Sequence, residues 1–252
     1  MTANSNTQTA AAQTAETQAA TQAADTQAAE TQAATQTAAT QTATAQAAEN
    51  QTAPHYSDGA TTVLLCGVGG QGTILAADLL AKTSIACGLQ VKLSEIHGMA
   101  QRGGSVTTVV RIGKQVNSMV VDLGSADYLL SFETTEALRQ VQYLSEGGTL
   151  LVNDQAIKPL PVATGSATMP MRARNRLIDF GATMVPAAEL ARQAGNVKCA
   201  NVVLLGALAA GMDFPQDEWE KQIRAKVPPK TIDTNIQAFH MGIQCAKDTN
   251  RR

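Results

Sequence analysis

Apolar runs and helix-period segments alternate along the chain from residue 61 onwards. Thr61–Cys66 has the sequence TTVLLC, which combines β-forming threonines with a run of four apolar residues and is typical of a strand buried on both faces. Residues 73–86 follow with apolar side chains at helical spacing, and Gly88 ends that helix. A second strand over 89–93 completes a strand–helix–strand unit, which predicts parallel strands joined by a right-handed crossover.

The same alternation continues to the end of the chain and becomes mostly helical. We expect strands over 105–112, 126–132, 149–152 and 182–185, and helices over 134–144, 199–210, 215–226 and 231–247. Pro186 is expected to open a short helix, and the Pro-rich segment 155–170 is expected to be irregular. The sequence therefore predicts an α/β fold, a three-layer Rossmann-like domain with a mixed, largely parallel sheet and a helical C-terminal part.

The beginning of the chain has a different composition. Residues 1–54 are almost entirely Ala, Thr and Gln, with four charges, all acidic, and no large apolar side chain after Met1. Such a segment buries too little apolar surface to offset the entropy that ordering would cost. We therefore divide the chain into a low-complexity tail, 1–57, expected to be disordered, and one folded domain, 58–252.

Charge and composition exclude several classes of protein. All 19 Lys and Arg residues and 17 of the 21 Asp and Glu residues lie in 58–252, which gives this part a net charge of +2. Near neutrality and few aromatic residues argue against binding to nucleic acid. No apolar run approaches the length of a membrane span, about 18 residues or more, and no targeting signal is recognisable. The four cysteines form no Cys-x-x-Cys pair, which predicts no metal site in this chain and suits a reducing cytoplasm.

A glycine-rich turn joins the first strand to the first helix. Gly67, Gly69 and Gly72 match Gly-x-Gly-x-x-Gly, in which the glycines allow a tight turn, close backbone approach and close helix packing. The helix N-terminus offers N–H groups to a phosphate or carboxylate. Three interpretations stay open: a dinucleotide, another anionic ligand or partner contact, or a purely structural turn. Glu95 follows Gly67 by 28 residues, whereas the acid of a dinucleotide site follows by about 20.

A polar loop follows the second strand. His97 and Arg102 are close in sequence to Glu95, and successive N–H groups at Gly103-Gly104-Ser105 suit an anion-binding nest. The simpler interpretation is a surface loop held by a Glu–Arg pair. We assign no catalytic residue and no metal ligand. The candidate cofactor-binding residues are Gly67, Gly69, Gly70, Gln71, Gly72, Glu95, His97, Arg102, Gly103 and Gly104.

Four segments together resemble the gamma-type subunits of the 2-oxoacid:ferredoxin oxidoreductases. They are Val63–Thr73, Glu95–Val106, Asn201–Ala207 and Val227–Gly242, and the resemblance covers nearly all of 60–246. The loop Glu95–Val106, with the sequence EIHGMAQRGGSV, is similar to the indolepyruvate branch of that family in particular. The Ala/Thr/Gln tail departs from the family pattern.

The resemblance implies both an activity and a division of labour. Residues 58–252 would be a pyruvate/ketoisovalerate oxidoreductase gamma-type catalytic domain, and the chain would be a cytoplasmic subunit that is inactive alone. The complex would convert indolepyruvate and coenzyme A to an aryl-acetyl-CoA and carbon dioxide, and would reduce ferredoxin. The large alpha subunit would carry thiamine diphosphate and the iron–sulfur clusters, so that this chain binds none of these cofactors itself.

Two alternatives remain beside this implied function. The chain is similar enough to other branches to serve as a gamma subunit for pyruvate, 2-oxoglutarate or a branched-chain 2-oxoacid. The glycine turn alone is also compatible with a stand-alone Rossmann-type module that binds NAD or FAD.

Overall fold

The computed structural model describes residues 59–98 and 104–249, except for the side chains at 160 and 161. All of these residues belong to one unit, Ser57–Arg252. They form a six-stranded sheet whose strands are β1 (Thr61–Val68), β2 (Gln90–His97), β3 (Ser105–Gly113), β4 (Ala126–Ser131), β5 (Leu144–Asn153) and β6 (Thr183–Val185).

Helices connect most of the strands and dominate the C-terminal part. They are α1 (Thr73–Ala86), α2 (Thr134–Gln140), α3 (Leu160–Ala163), α4 (Ala173–Asp179), α5 (Ala187–Gln193), α6 (Ala200–Ala209), α7 (Gln216–Lys226) and α8 (Ile232–Thr249). Short 3₁₀ turns precede β5, α6 and α8 at Val141–Tyr143, Val197–Cys199 and Pro229–Thr231. No helix among the described residues has the length and apolar composition needed to cross a bilayer.

The strand order is β2-β3-β1-β4-β5-β6. β1, β4, β5 and β6 run parallel, whereas β3 is antiparallel to both β1 and β2. β1 and β2 are therefore parallel to each other, as the strand–helix–strand pattern predicted, but β3 lies between them. The expected mixed and largely parallel sheet is confirmed.

Helices cover both faces of the sheet. Successive side chains of β1 point to opposite faces, so this strand contributes to a core on each side. Val63 and Leu65 lie in a large hydrophobic core with α1, α6, α7 and α8. Leu64 and Cys66 lie in a smaller core on the other face, with Ala137 of α2 and Leu177 of α4. This arrangement gives the predicted three layers.

The apolar helix α6 belongs to the large core, where every residue from Asn201 to Ala209 is buried. Its backbone lies against α8 at two glycines. A Cβ atom at Gly206 would overlap the carbonyl oxygen of Phe239, and one at Gly242 would overlap the carbonyl oxygen of Val203. The two helices α6 and α8 therefore pack in direct backbone contact.

Four predictions of local structure were wrong. The second strand, predicted over 89–93, continues to His97, so Glu95 and His97 lie on β2 and not in the loop that follows it. The helix predicted over 134–144 ends at Gln140, because a 3₁₀ turn follows and Leu144 already begins β5. β5 is longer than the predicted 149–152, since it passes through Gly147 and Gly148 instead of starting after them. The segment predicted to be irregular contains the single-turn helix α3, and α4 was not predicted at all.

Candidate functional site

The glycine turn lies at the carboxyl end of β1, where the order of the strands reverses. From β1 the chain continues through α1 to β2 and β3 on one side, and β4 lies on the other side. In open α/β sheets, ligands bind in the crevice outside the carboxyl ends of the strands at such a switch point. The fold therefore places the turn where a ligand is expected.

The side chain of Gln71 stabilises the glycine turn through two hydrogen bonds. Its Oε1 atom accepts a hydrogen bond of 2.8 Å from the N–H of Val68, and its Nε2 donates one of 2.8 Å to the carbonyl oxygen of Phe132. Gly67 makes room for this side chain, since a Cβ there would lie 2.7 Å from Gln71 Oε1 and 2.8 Å from Phe132 Cβ. Both residues were predicted to bind a cofactor, and in the structure both hold the turn to the end of β4.

The other glycines leave the N-terminus of α1 open. Gly70 and Gly72 have positive φ angles of 100° and 83°, which glycine adopts readily and other residues rarely do. Gly72 is the N-cap of α1 and no side chain caps the first turn. The first N–H groups of a helix carry a partial positive charge and suit an anionic group.

Backbone hydrogen bonds bring the polar loop to the glycine turn. The N–H of Gly69 donates to the carbonyl oxygen of Gly104 at 2.9 Å. The register pairs Val68 with Ser105, and the N–H of Gly98 donates to the carbonyl oxygen of Ser105 at 3.3 Å. The two motifs, which are 25 residues apart or more in sequence, are thus neighbours in space.

A cavity of about 450 Å³ lies between these two motifs. Its walls are Gly69, Gly70, Gly72, Thr73, Ile74, Glu95, His97 and Val106. Glu95 is half-buried and His97 is exposed, with Nδ1 of the ring 3.2 Å from the carbonyl oxygen of Gly98. A carboxylate, an imidazole and an uncapped helix N-terminus therefore surround one cavity. Arg102 and Gly103 lie outside the described residues.

A buried acidic pair beside the turn was missed by the sequence analysis. Glu136 accepts hydrogen bonds from Ser105 Oγ at 2.6 Å and Arg139 Nη1 at 2.7 Å. Glu133 caps α2 by accepting the N–H of Glu136, and its Oε2 atom is buried without a partner in the described part of the chain. The signal was available, because Glu133 and Glu136 directly follow a buried strand at the carboxyl edge of the sheet.

Cys66 lies next to this pair at the end of β1. Its burial raises the pKa of the thiol to about 12, a hydrogen bond with Ser131 opposes that shift, and the charges of Glu136 and Glu133 add to it. A thiol with such a pKa stays protonated at neutral pH and is a poor nucleophile or metal ligand. Cys66 therefore serves as a small apolar core residue.

The described residues do not fit a metal cluster or a dinucleotide. No group of three or more His, Cys, Asp and Glu side chains within 59–98 and 104–249 is arranged to hold a metal ion. β3 lies between β1 and β2, so the ends of those strands are separated by two strand spacings, about 9 to 10 Å. In the dinucleotide-binding fold these two strands are adjacent.

Comparison with known protein families decides the assignment. A sequence profile of the pyruvate ferredoxin/flavodoxin oxidoreductase family matches residues 62–245. The chain belongs to this family. The match includes all four segments that carried the resemblance, from Val63–Thr73 to Val227–Gly242.

Relatives within the oxidoreductase family match most of this chain and nearly all of their own length. Indolepyruvate oxidoreductase subunit IorB of Thermococcus kodakarensis is 43% identical over 193 residues, which cover 74% of this chain and 96% of that protein. The 2-oxoglutarate synthase subunit KorC of Methanothermobacter marburgensis is 32% identical, over 71% of this chain and 93% of its own. The crystal structure of the keto/oxoacid ferredoxin oxidoreductase gamma subunit of Geobacter sulfurreducens superposes with a TM-score of 0.56 and 26% identity, covering 75% of this chain and 99% of that one.

Proposed function

We propose that this chain is the beta subunit of an indolepyruvate:ferredoxin oxidoreductase. The complex would oxidatively decarboxylate indolepyruvate and related aryl 2-oxoacids with coenzyme A, yielding an aryl-acetyl-CoA and carbon dioxide, and would pass the electrons to ferredoxin. The observation that supports this branch is the 43% identity to an indolepyruvate oxidoreductase subunit over 96% of its length. The two 2-oxoglutarate synthase subunits are more distant, at 31% and 32% identity.

In this proposal the chain acts only with a large alpha subunit in the cytoplasm. The alpha subunit would carry thiamine diphosphate, which stabilises the carbanion formed by decarboxylation, and the iron–sulfur clusters that carry electrons to ferredoxin. This division is supported by the relatives, which are themselves named as single subunits of an indolepyruvate oxidoreductase and of a 2-oxoglutarate synthase.

We further propose that the glycine turn and the polar loop bind an anionic group of the reactants. The uncapped N-terminus of α1 and the cavity walls at Gly69, Gly70 and Gly72 support this role. Arg102 and the backbone of Gly103 and Gly104 would contact the coenzyme A phosphate or the substrate carboxylate. Glu95 and His97 would position the loop beside that group.

Co-expression with a large subunit tests the assignment. The chain, tagged within residues 1–57, is co-expressed with the alpha subunit, purified by the tag and assayed for reduction of a viologen dye with four 2-oxoacids and coenzyme A. We expect a brown complex whose kcat/KM is highest for indolepyruvate, ahead of phenylpyruvate, pyruvate and 2-oxoglutarate. Higher activity with 2-oxoglutarate or pyruvate would contradict the indolepyruvate branch. A colourless chain that captures no large subunit and binds NAD or FAD in calorimetry would contradict the family role.

Variants of the polar loop test the anion-binding role. We expect Arg102→Ala to raise the KM for coenzyme A or for the 2-oxoacid at least about tenfold, because an arginine contact to an anion is worth about 1.5–3 kcal/mol. Lys114→Ala is the matched control, since this exposed cation lies at the opposite end of β3. Unchanged KM and kcat in Arg102→Ala would show that the loop does not bind an anion through this side chain.

A further inference from the structure

A second cavity, of about 320 Å³, lies near the carboxyl ends of β4 and β5. α2 contributes Thr135, Leu138 and Arg139 to its wall, the segment after β5 contributes Val162 and Met169, and α4 contributes Arg176. It shares no wall residue with the cavity at the glycine turn. Its volume is within the range of small-molecule sites, about 300–1,000 Å³.

Three polar groups of this cavity have unused hydrogen-bonding capacity. The guanidinium of Arg176 makes no ion pair or hydrogen bond with any residue that the structure describes. Arg139 is bound to Glu136 through Nη1 alone, and its side chain is 56% exposed. Thr135 is 4% exposed, and its Oγ1 atom is buried with no partner in the part of the chain that is described. This hydroxyl lies in the cavity wall and is therefore available to a polar group of a ligand.

The charges around the cavity favour a ligand with one negative charge. Arg139 and Arg176 are the charged residues of the cavity wall, and Glu136 pairs with Arg139 at 2.7 Å, which leaves Arg176 without an acidic partner among the described residues. One positive charge is left for the ligand. A guanidinium binds a carboxylate through two parallel N–H groups, which gives this pairing its geometry as well as its energy.

The rest of the wall is apolar. Leu138, Val162 and Met169 offer hydrocarbon and thioether surface, and a methionine sulfur makes favourable contacts with an aromatic ring. We propose that this cavity binds a small aromatic monocarboxylate, whose carboxylate pairs with Arg176 and Arg139 and whose ring packs against Leu138, Val162 and Met169. The site is separate from the glycine turn and does not depend on the proposed function.

Matched ligands test the requirement for a carboxylate. The full chain is titrated with phenylacetate and with phenylacetamide, which has the same shape and no charge, by isothermal calorimetry and saturation-transfer NMR. We expect phenylacetate to bind at least about tenfold more tightly, a difference of about 1.4 kcal/mol. Equal binding of the two, or no binding of phenylacetate, would overturn the proposal. Tighter binding of phenyl phosphate than of phenylacetate would overturn the assignment to a single negative charge.

Matched variants of α4 locate the site. We expect Arg176→Gln to weaken phenylacetate binding at least about tenfold. Arg174→Gln removes a charge from the same helix, but this guanidinium already pairs with Asp154 at 3.0 Å, and binding should be unchanged. Equal losses in the two variants would show a general effect of charge and overturn the site. Both arginines are exposed, so both variants should fold, and their thermal unfolding is recorded to verify it.

Discussion

The Nε2 atom of Gln71 donates a hydrogen bond of 2.8 Å to the carbonyl oxygen of Phe132, 61 residues later in the chain. The same carbonyl oxygen accepts a second hydrogen bond, of 3.1 Å, from Nδ2 of Asn153. Gln71 follows β1, Phe132 follows β4 and Asn153 ends β5. One carbonyl group thus joins the carboxyl ends of three parallel strands beside the glycine turn.

Replacing Gln71 by alanine should destabilise the folded chain. The variant loses two hydrogen bonds, and it leaves the N–H of Val68 without its partner. At about 0.5–1.5 kcal/mol for each bond, we expect the free energy of unfolding to fall by about 1–3 kcal/mol, measured by urea denaturation.

Gln193→Ala is the matched control for this change. Its side chain, at the end of α5, makes one exposed contact of 3.4 Å with Glu189 in the first turn of that helix. Exposed contacts of this kind contribute little, so the control should stay within about 0.5 kcal/mol of the wild type. Equal losses of unfolding free energy in the two variants would show that the hydrogen bonds of Gln71 do not stabilise the fold.

Alanine at Gly70 and at Gly72 should have different consequences, although both glycines have positive φ angles. A Cβ at Gly70 meets nothing within 4 Å, so Gly70→Ala should cost only the backbone strain of about 1–2 kcal/mol. A Cβ at Gly72 would lie 2.5 Å from Nδ2 of Asn201, so Gly72→Ala should cost more. Thermal unfolding of the two variants measures the difference.

A double-mutant cycle with Asn201→Ala shows whether the contact is the cause. This substitution removes the amide that a Cβ at position 72 would meet. The loss in the double variant should be smaller than the sum of the two single losses by about 0.5–3 kcal/mol. Strictly additive losses would mean that strain alone determines the need for glycine at 72.

Gly206→Ala should be destabilising, against the usual preference of helices. In a helix interior, alanine is normally more stable than glycine by about 0.5–1 kcal/mol. At the crossing of α6 and α8, the added methyl group would overlap the carbonyl oxygen of Phe239, a backbone atom that cannot turn away. We expect a loss of about 1–3 kcal/mol or more, or an insoluble product, because the two helices would have to separate.

Gly211→Ala is the matched control for Gly206→Ala, because Gly211 lies just after the end of α6. A Cβ there would lie 3.3 Å from a ring carbon of Tyr128, which is a side chain that can shift slightly. The smaller loss is therefore expected at Gly211. If denaturation showed Gly206→Ala to be as stable as the wild type, the close crossing of α6 and α8 would be contradicted.

The sequence predicted the fold well where the burial of a segment gives one simple hydrophobic pattern. The buried strand β1 is apolar on both faces, and α8 has one apolar face, so hydrophobic period alone was sufficient. β5 and α4 were harder. β5 contains Gly147 and Gly148, which resemble a turn in sequence, and α4 buries only Leu177, which is too little to give a periodic signal.

The sequence predicted the two motifs of the site, but not that they surround one cavity. The glycine spacing predicted the turn after β1, and its position at the sheet edge followed from the alternation of strands and helices. The insertion of β3 between β1 and β2 was not predictable, because strand order depends on pairings distant in sequence. Likewise, no local pattern shows that the side chain of Gln71 reaches the carbonyl oxygen of Phe132.

The buried thiol of Cys66 should make stability fall at alkaline pH. Burial raises its pKa to about 12 in the folded chain, against an ordinary value of 9.0. Below about pH 9 the thiol is protonated in both states and its contribution to stability is fully present. As the pH rises from 9.0 towards 12, only the unfolded chain releases the proton, so the unfolded state is favoured.

Cys66→Ala separates this effect from other groups that titrate at alkaline pH. The variant lacks the thiol, and it should be less stable than the wild type at neutral pH because a buried side chain becomes smaller. The difference in the free energy of unfolding between the two proteins should become smaller as the pH rises above 9.0, since only the wild type loses the contribution of the thiol. Urea denaturation of both proteins across this range measures this difference. A constant difference in the free energy of unfolding would mean that the thiol ionises equally easily in the folded and the unfolded chain. Burial and the charges of Glu133 and Glu136 would then not raise the pKa of Cys66.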